Sequence, residues 1–431
     1  MKSLFAFFMS IISFISSLLG LNPVKVIQPF KTDSFEPVVR FMVCSDTHMN
    51  LSVEERIGRI PKAFDFAYAF AQEDENYKKL DAAMFVGDLT DNGTKEQFAL
   101  FESQVKEGIR EGTTLLAIAA KNHDGYVGVS CLDSLKAITN MDSDFHTVIN
   151  GFHFIGISRS KNEVEHYSPY QRRWLKEQLD EAKKDNPDKP IFVCHHEHVS
   201  NTVYGSSSYE GWGRKYFKDI FEQYPQVVHF SGHSHYPLND PRSVFQGDFT
   251  AVGTGSMAYM EMTYKLDRTI HPGKYNEAAQ AWIVEADAEN KIRLTGYDVL
   301  HGDILCQYVI PSLTDKDTFV YTEKNMKMIS SAPVFDEKSE ITVKKEEDGK
   351  YTVSVPKANS VDGNIIFLYR IKVYNKMGVK VHSEYIINNY WQNDTYNDIS
   401  FNIKAKPGYE VKITAENAYY MESQPVTATI S

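Results

Sequence analysis

The stretch Phe41-Met-Val-Cys-Ser-Asp-Thr-His48 decides how the chain is read. It closes an apolar run, Val38 to Cys44, interrupted only by Arg40. A run apolar on successive residues, rather than on alternate ones, reads as a strand of a sheet covered on both faces. The run stops at Asp46 and His48, a carboxylate and an imidazole two residues apart. Oxygen and imidazole-nitrogen donors together suit a divalent transition metal. A single Asp-x-His is common, so the reading rests on whether partners recur down the chain.

They do recur. Ala82-Ala-Met-Phe-Val-Gly87 ends at Asp88, and Thr114 to Ala120 ends at Lys121-Asn-His-Asp124. Pro190-Ile-Phe-Val-Cys194 ends at His195-His-Glu-His198, and Val227-Val-His-Phe-Ser231 leads into Gly232-His-Ser-His235. Further strand-like runs lie around Phe145 to Ile149 and Phe152 to Ser158. Helical spacing separates them. It covers Val53 to Gln72, where Pro61 is expected to break the helix, and a stretch capped by Thr94-x-x-Gln97 that ends near Gly112. It returns after Ser168-Pro169, running to about Lys184, and near Arg214 to Gln223. Strand and helix in alternation predict an α/β layer architecture. In such sheets sites form beyond the carboxyl ends of the strands, so five runs would deliver their polar residues to one rim.

The remaining composition bounds the answer. A chain of 431 residues, 42% hydrophobic and 24% charged, is long enough for two globular domains. A net charge of -11 without a basic block argues against a nucleic-acid partner. Four cysteines, at 44, 131, 194 and 306, lack zinc-knuckle spacing and read as small buried hydrophobes in a disulfide-free chain. Residues 1–24, uncharged from Ser3 onward and rich in Leu, Ile and Phe, read as a signal peptide or N-terminal anchor. The protein is therefore expected to be exported, either secreted or anchored in the cell envelope. Asn92-Gly-Thr94 and Asn393-Asp-Thr395 match the N-glycosylation pattern.

Residues 35–312 are assigned to the α/β domain, closed by a hairpin over residues 281–299 around Asp287-Ala-Glu-Asn290. Beyond about residue 315 helical spacing disappears. Short alternating runs follow: Glu340 to Lys344, Lys350 to Val355, Ile365 to Val373, Ser400 to Ala405, Glu410 to Glu416 and Pro425 to Ile430. Turn signals such as Asp348-Gly349 and Pro407-Gly408 divide them. Residues 318–431 are thus expected to form a small β-sandwich of immunoglobulin or fibronectin III type. It carries no catalytic-looking cluster, and is either a module for cell-surface or carbohydrate contact or a packing partner.

Together the clusters supply donors for two metal ions, with Asp88 as the carboxylate shared between them. Two such ions clamp a phosphate and lower the pKa of a bridging water, so that hydroxide is available near neutral pH. His123 is left to protonate the departing oxygen.

These five motifs, in this order, resemble those of the calcineurin-like metallophosphoesterase superfamily over roughly residues 38–300. The resemblance implies two packed sheets flanked by helices, and hydrolysis of a small phosphate mono- or diester. It implies two divalent ions, manganese, iron or zinc. Asp46, His48, Asp88 and His235 would bind one, and Asp88, Asn122, His195 and His233 the other. His123 matches the general acid, and Asp91 the carboxylate that orients it. Both His195 and His196 follow Cys194, and the position directly ending the strand favours His195. Lys121 stands where the family usually has Gly. The purple acid phosphatase subgroup needs a Tyr where Asp91 stands, so that subgroup is disfavoured. Lys121, Tyr204, Tyr209 and Trp212 are candidate substrate contacts. The alternative is a non-catalytic scaffold or surface-binding protein on the same fold.

Overall fold

Strand β1 (Pro37–Cys44) holds the centre of the first sheet in the computed structural model, which describes residues 35–161, 165–264, 269–392 and 398–431. The proposed export segment and the Asn393 triplet lie outside these residues. On one side β1 pairs in parallel with β2 (Ala82–Val86), which pairs in parallel with β3 (Thr114–Ile118). On the other side come antiparallel β10 (Gln280–Asp287), β11 (Ile292–Asp298) and β12 (Asp303–Ile310). The expected hairpin over 281–299 is β10–β11, and β12 extends it.

A second six-stranded sheet has the order β4 (Phe145–Ile149), β5 (Phe152–Gly156), β6 (Ile191–Cys194), β7 (Val227–Ser231), β9 (Thr250–Gly253), β8 (Val244–Gln246). Its strands β5, β6, β7 and β9 run parallel.

Alternation along β1 shows why both of its faces are apolar. Val39, Phe41 and Val43 point between the sheets, where the Phe41 ring lies 5.0 Å from Phe154 and 4.7 Å from Phe192. Met42 and Cys44 point outward, into a core shared with helices α1 (Arg59–Glu73), α2 (Lys95–Gly108) and α3 (Ser130–Thr139). Helix α4 (Pro169–Asp185), opened by the Ser168–Gln171 capping box, and the short α5 (Lys218–Phe221) cover the outer face of the second sheet. The four layers are helix, sheet, sheet, helix, as the resemblance implies.

Two local expectations are corrected. Pro61 does not break its helix, because α1 starts at Arg59 and places Pro61 in the first turn, where no intrahelical N–H partner is needed. The helix expected over residues 214–223 shrinks to α5, a single turn. All four cysteines are unpaired. Among the described residues no helix is long and apolar enough to cross a membrane.

Beyond helix α6 (Glu323–Ile329), a sheet of β13 (Thr342–Lys345), β14 (Tyr351–Pro356) and β17 (Asp398–Ile403) faces a second sheet. That sheet has the order β16 (Lys380–Ile387), β15 (Ile366–Tyr374), β18 (Glu410–Asn417), β19 (Val426–Thr429). The two enclose a common apolar core, a β-sandwich. Strand β16 was not expected from sequence. Its first half is polar and exposed, and it is held by pairing with β15 at the sheet edge rather than by burial of its own side chains.

The sandwich is not separate from the α/β layers. Phe367, Leu368, Tyr390 and Trp391 share a buried cluster with Tyr204, Tyr236, Met260 and Met262. Two side-chain amides cross the seam: Gln280 donates to the Trp391 carbonyl (3.1 Å) and Asn239 to that of Tyr390 (2.7 Å). Replacing Trp391 by Ala is expected to cost about 3–5 kcal/mol, because a large fully buried ring leaves a cavity that backbone on both sides holds open. Chemical denaturation of the variant measures it.

Candidate metal centre

Each polar cluster begins where a parallel strand ends. Asp46 and His48 follow β1, Asp88 follows β2, Asn122 and His123 follow β3, His196 follows β6, and His233 and His235 follow β7. The turns are sharp. Among the described residues eleven non-glycine residues have positive φ, and five of them are Asp46, His48, Asp88, His233 and His235. Non-glycine residues avoid this region, so such a concentration marks a place where the surroundings over-determine the backbone.

Two glycines let the loops approach one another. At Gly87 (φ +81°) a Cβ would lie 2.8 Å from Nδ1 of His196. At Gly232 a Cβ would run into the Asp46 carboxylate and the Ser45 hydroxyl. The Gly-Asp and Gly-His pairs seen in the sequence are therefore requirements of close contact between the sheets.

The side chains converge in two adjoining groups. In the first, Nε2 of His235 lies 3.2 Å from Oδ1 of Asp46 and 3.1 Å from Nε2 of His48. In the second, Oδ2 of Asp88 lies 3.0 Å from Nε2 of His196 and accepts from the Asn122 amide at 3.0 Å, while Asn122 reaches Nδ1 of His233 at 3.4 Å. Oδ1 of Asp46 is 3.8 Å from Nε2 of His196, so the groups touch. Asp46–His48–His235 and Asp88–His196–His233 each bring three donor atoms within 4.8 Å of one another. Oδ1 of Asp88 is buried and has no hydrogen-bond partner. A pair of imidazole nitrogens facing each other over a carboxylate, with an orphaned carboxylate oxygen beside them, is a donor set that a cation satisfies and a neutral protein core does not.

Backbone carbonyls orient three of the rings. Nδ1–H of His196 donates to Val86 (2.8 Å), that of His235 to Tyr259 (3.2 Å) and that of His123 to Asp91 (2.9 Å). Nε2 is thereby left as the working atom of each. Asp124 ties the loops together. It accepts from Thr90 N and Oγ1 (both 2.9 Å) and from Ala120 N (3.0 Å).

Burial works against a charged His196, but the carboxylates of Asp88 and Asp46 hold its pKa well above the ordinary value. His235 is raised likewise, burial being outweighed by Asp46. Burial would push the Asp46 carboxyl up, yet the imidazoles of His235, His196 and His48 keep it far below the usual range. His48 and His233 fall to about 4, burial being the main cause. The carboxylates thus favour the protonated form of both rings.

Asp46, His48, Asp88, Asn122, His233 and His235 are brought together as expected from sequence; His195 is not. Its ring packs against Tyr167, Phe217 and His229 on the helix side of the second sheet, and His196 takes the inward place. The cause is strand alternation. Phe192 and Cys194 of β6 face the space between the sheets while Ile191 and Val193 face the helices, so 196 continues the inner parity and 195 the outer. That signal was present in the sequence.

Asp91 also differs from expectation. Its backbone carbonyl orients His123, whereas its carboxylate lies 3.9 Å from His123 Nδ1 and closer to His48 Nδ1 (3.4 Å). Tyr204 is a buried structural residue, its hydroxyl donating to the Thr263 carbonyl (2.6 Å), and does not face the centre. Trp212 lies beside it, 4.9 Å from the His233 ring. Tyr209 is exposed, and Lys121 is half-buried in the loop before Asn122. The sequence reading missed Arg56 and Tyr259. Arg56 donates to the His48 carbonyl (2.9 Å), and the Tyr259 ring lies 4.2 Å from that of His235.

Residues 39–237 match the model of the calcineurin-like phosphoesterase family. Among solved structures the chain is similar to the purple acid phosphatase PPD1 from yellow lupin (Lupinus luteus) seeds, at 15% identity and a TM-score of 0.44, over 67% of this chain and 57% of that one. It is also similar to a phosphopantetheinyl hydrolase from Mycobacterium tuberculosis, at 12% identity and a TM-score of 0.29, over 55% of this chain and 97% of that one. No curated protein matches the chain.

The raised pKa values of His196 and His235 give a pH dependence. Nε2 cannot hold a proton and a cation together, so cation binding must expel the protons these rings carry below their folded pKa values. Titrating the metal-free protein with manganese at pH 7, in buffers of different protonation enthalpy, should show proton release. The affinity should fall as pH is lowered, and the released protons should dwindle as pH rises above both folded values.

Proposed function

We propose that this protein, whose residues 39–237 match the calcineurin-like phosphoesterase family, hydrolyses small phosphate mono- or diesters with two divalent cations held at the rim of its paired sheets. The observation that carries the reading is the meeting of Asp46–His48–His235 with Asp88–His196–His233 across a 3.8 Å approach. Asp46, His48 and His235 would hold one cation, and Asn122, His196 and His233 the other. The orphaned Oδ1 makes Asp88 the natural shared donor. Bound divalent cations supply Lewis acidity, neutralising phosphoryl oxygens and making hydroxide available near neutral pH. The donor set admits manganese, iron or zinc.

The chain's own residues do the rest. His123 stands edge-on to His48 at 4.4 Å, partly exposed, with Nδ1–H committed to Asp91. Its Nε2 is therefore the atom that carries a proton to the departing alkoxide. Burial of Asp46, Asp88 and His196 keeps water from weakening their hold on the cations. The uncharged leader Ser3 to Val24 supports action outside the cytoplasm, secreted or at the envelope, and the sandwich remains a candidate for surface contact. Against a non-catalytic scaffold stands the fact that every donor position, and the acid, is filled by a competent residue.

The test is metal analysis and turnover of an aryl phosphate by the manganese-loaded protein. Neither bound metal nor turnover would end the proposal. Asp88→Ala and His196→Ala should lose metal, whereas His195→Phe should keep it. His123→Ala should keep its metal and lose on the order of 10²-fold or more in rate.

A further inference from the structure

A cavity of about 380 Å³ adjoins the candidate metal centre through Arg56 and Tyr259, which touch His48 and His235. Glu55, Arg56, Arg59, Tyr259, His271 and Tyr275 line it. It shares its inner wall with the centre. Arg56 donates to the His48 carbonyl, and the Tyr259 ring lies 4.2 Å from the His235 ring and 5.8 Å from that of His48. The same His48 ring lies 4.4 Å from that of His123.

Its lining brings two guanidiniums and a phenol hydroxyl together, with Glu55 the one carboxylate among the residues that line it. Arg59 is buried, and its hydrogen bonds run to the carbonyls of Glu55, Met257, Ala258, Ala278 and Asn276. None of these is a carboxylate, and the carboxylates that act on its charge, Glu55 and Asp298, do so without a hydrogen bond to it. Arg56 has Asp91 at 3.5 Å, but that carboxylate also serves Asn50 (2.8 Å) and His48. The Tyr259 hydroxyl makes no hydrogen bond among the described residues. His271, tilted against the Tyr275 ring at 4.5 Å, is paired with Glu261, and Glu55 is exposed at the edge. Guanidinium and phenol donors fit acceptor oxygens that carry negative charge.

We propose that this cavity selects phosphate esters whose alcohol part bears a second anionic group, a phosphate or a carboxylate, bound by Arg56 and Tyr259 over the charge of Arg59. The inference rests on the hydrolase reading and names the substrate class for it.

The manganese-loaded full chain would be assayed with glycerol phosphate, phosphoglycerate and a glycerol bisphosphate. An ester with the second anion should show a kcat/KM at least about tenfold above glycerol phosphate, as a charged hydrogen bond implies. Preference for the bisphosphate assigns a phosphate to the cavity, and preference for phosphoglycerate a carboxylate. Arg56→Gln and Tyr259→Phe should raise KM for the preferred ester about tenfold, with a smaller change in kcat, and Arg56→Lys should restore part of it. Equal use of all three esters by the unaltered protein overturns the inference. So does an equal loss of kcat on all three in the variants, which is what a tether that merely holds His48 and Asp91 would produce. Failure to turn over any ester, an aryl phosphate included, ends the hydrolase reading and this inference with it.

Discussion

The contact on which the rest depends is the imidazole of His196 lying against the bare backbone of Gly87. The ring comes from the second sheet and lands on the end of β2 in the first, with Nδ1–H on the Val86 carbonyl and Nε2 on Asp88. No side chain fits beneath it. This one ring therefore sets the spacing of the sheets at their carboxyl ends and joins the two donor groups. A wider gap would separate Asp88 from His196, and a narrower one would drive the ring into the turn.

Holding that arrangement is costly. Five residues of the candidate centre sit at positive φ, a conformation that disfavours each by roughly 1 kcal/mol or more. Two buried carboxylates, those of Asp46 and Asp88, lie 3.8 and 3.0 Å from the same His196 nitrogen, which only opposing charge makes tolerable. Large apolar interfaces on three sides supply the stability to offset this: the phenylalanine-rich layer between the sheets and the helix-covered outer faces. The strain sits where a cation would relieve it.

The C-terminal sandwich bears on the centre at second hand. Trp212 lies beside His233 and donates to the Tyr236 hydroxyl (3.2 Å), and Tyr236 packs on Tyr204, which reaches Phe367 of the sandwich. Arg242 lies over the Tyr204 ring at 3.8 Å and is paired with Asp240, which also accepts from Tyr390. The loop against the metal centre is thus buttressed by aromatic residues from both parts of the chain. Tyr204, which looks in sequence like a substrate contact, is a strut in that wall.

The amino-acid sequence by itself determined the layer architecture, the sandwich and most of the centre. Buried parallel strands must be apolar on both faces, and a polar residue directly after such a strand can only stand at its rim. That local rule located Asp46, Asp88, Asn122 and the two histidines of the last cluster without any contact being known. What only the tertiary structure decided is what depends on which surfaces meet. It chose His196 over His195 through the parity with which β6 leaves its sheet, turned the Asp91 carboxylate toward His48, and recruited Arg56 and Tyr259 from segments with no motif. Such choices follow from packing between residues far apart in the chain, and a strand-end motif records where a side chain starts but not which neighbour it will touch.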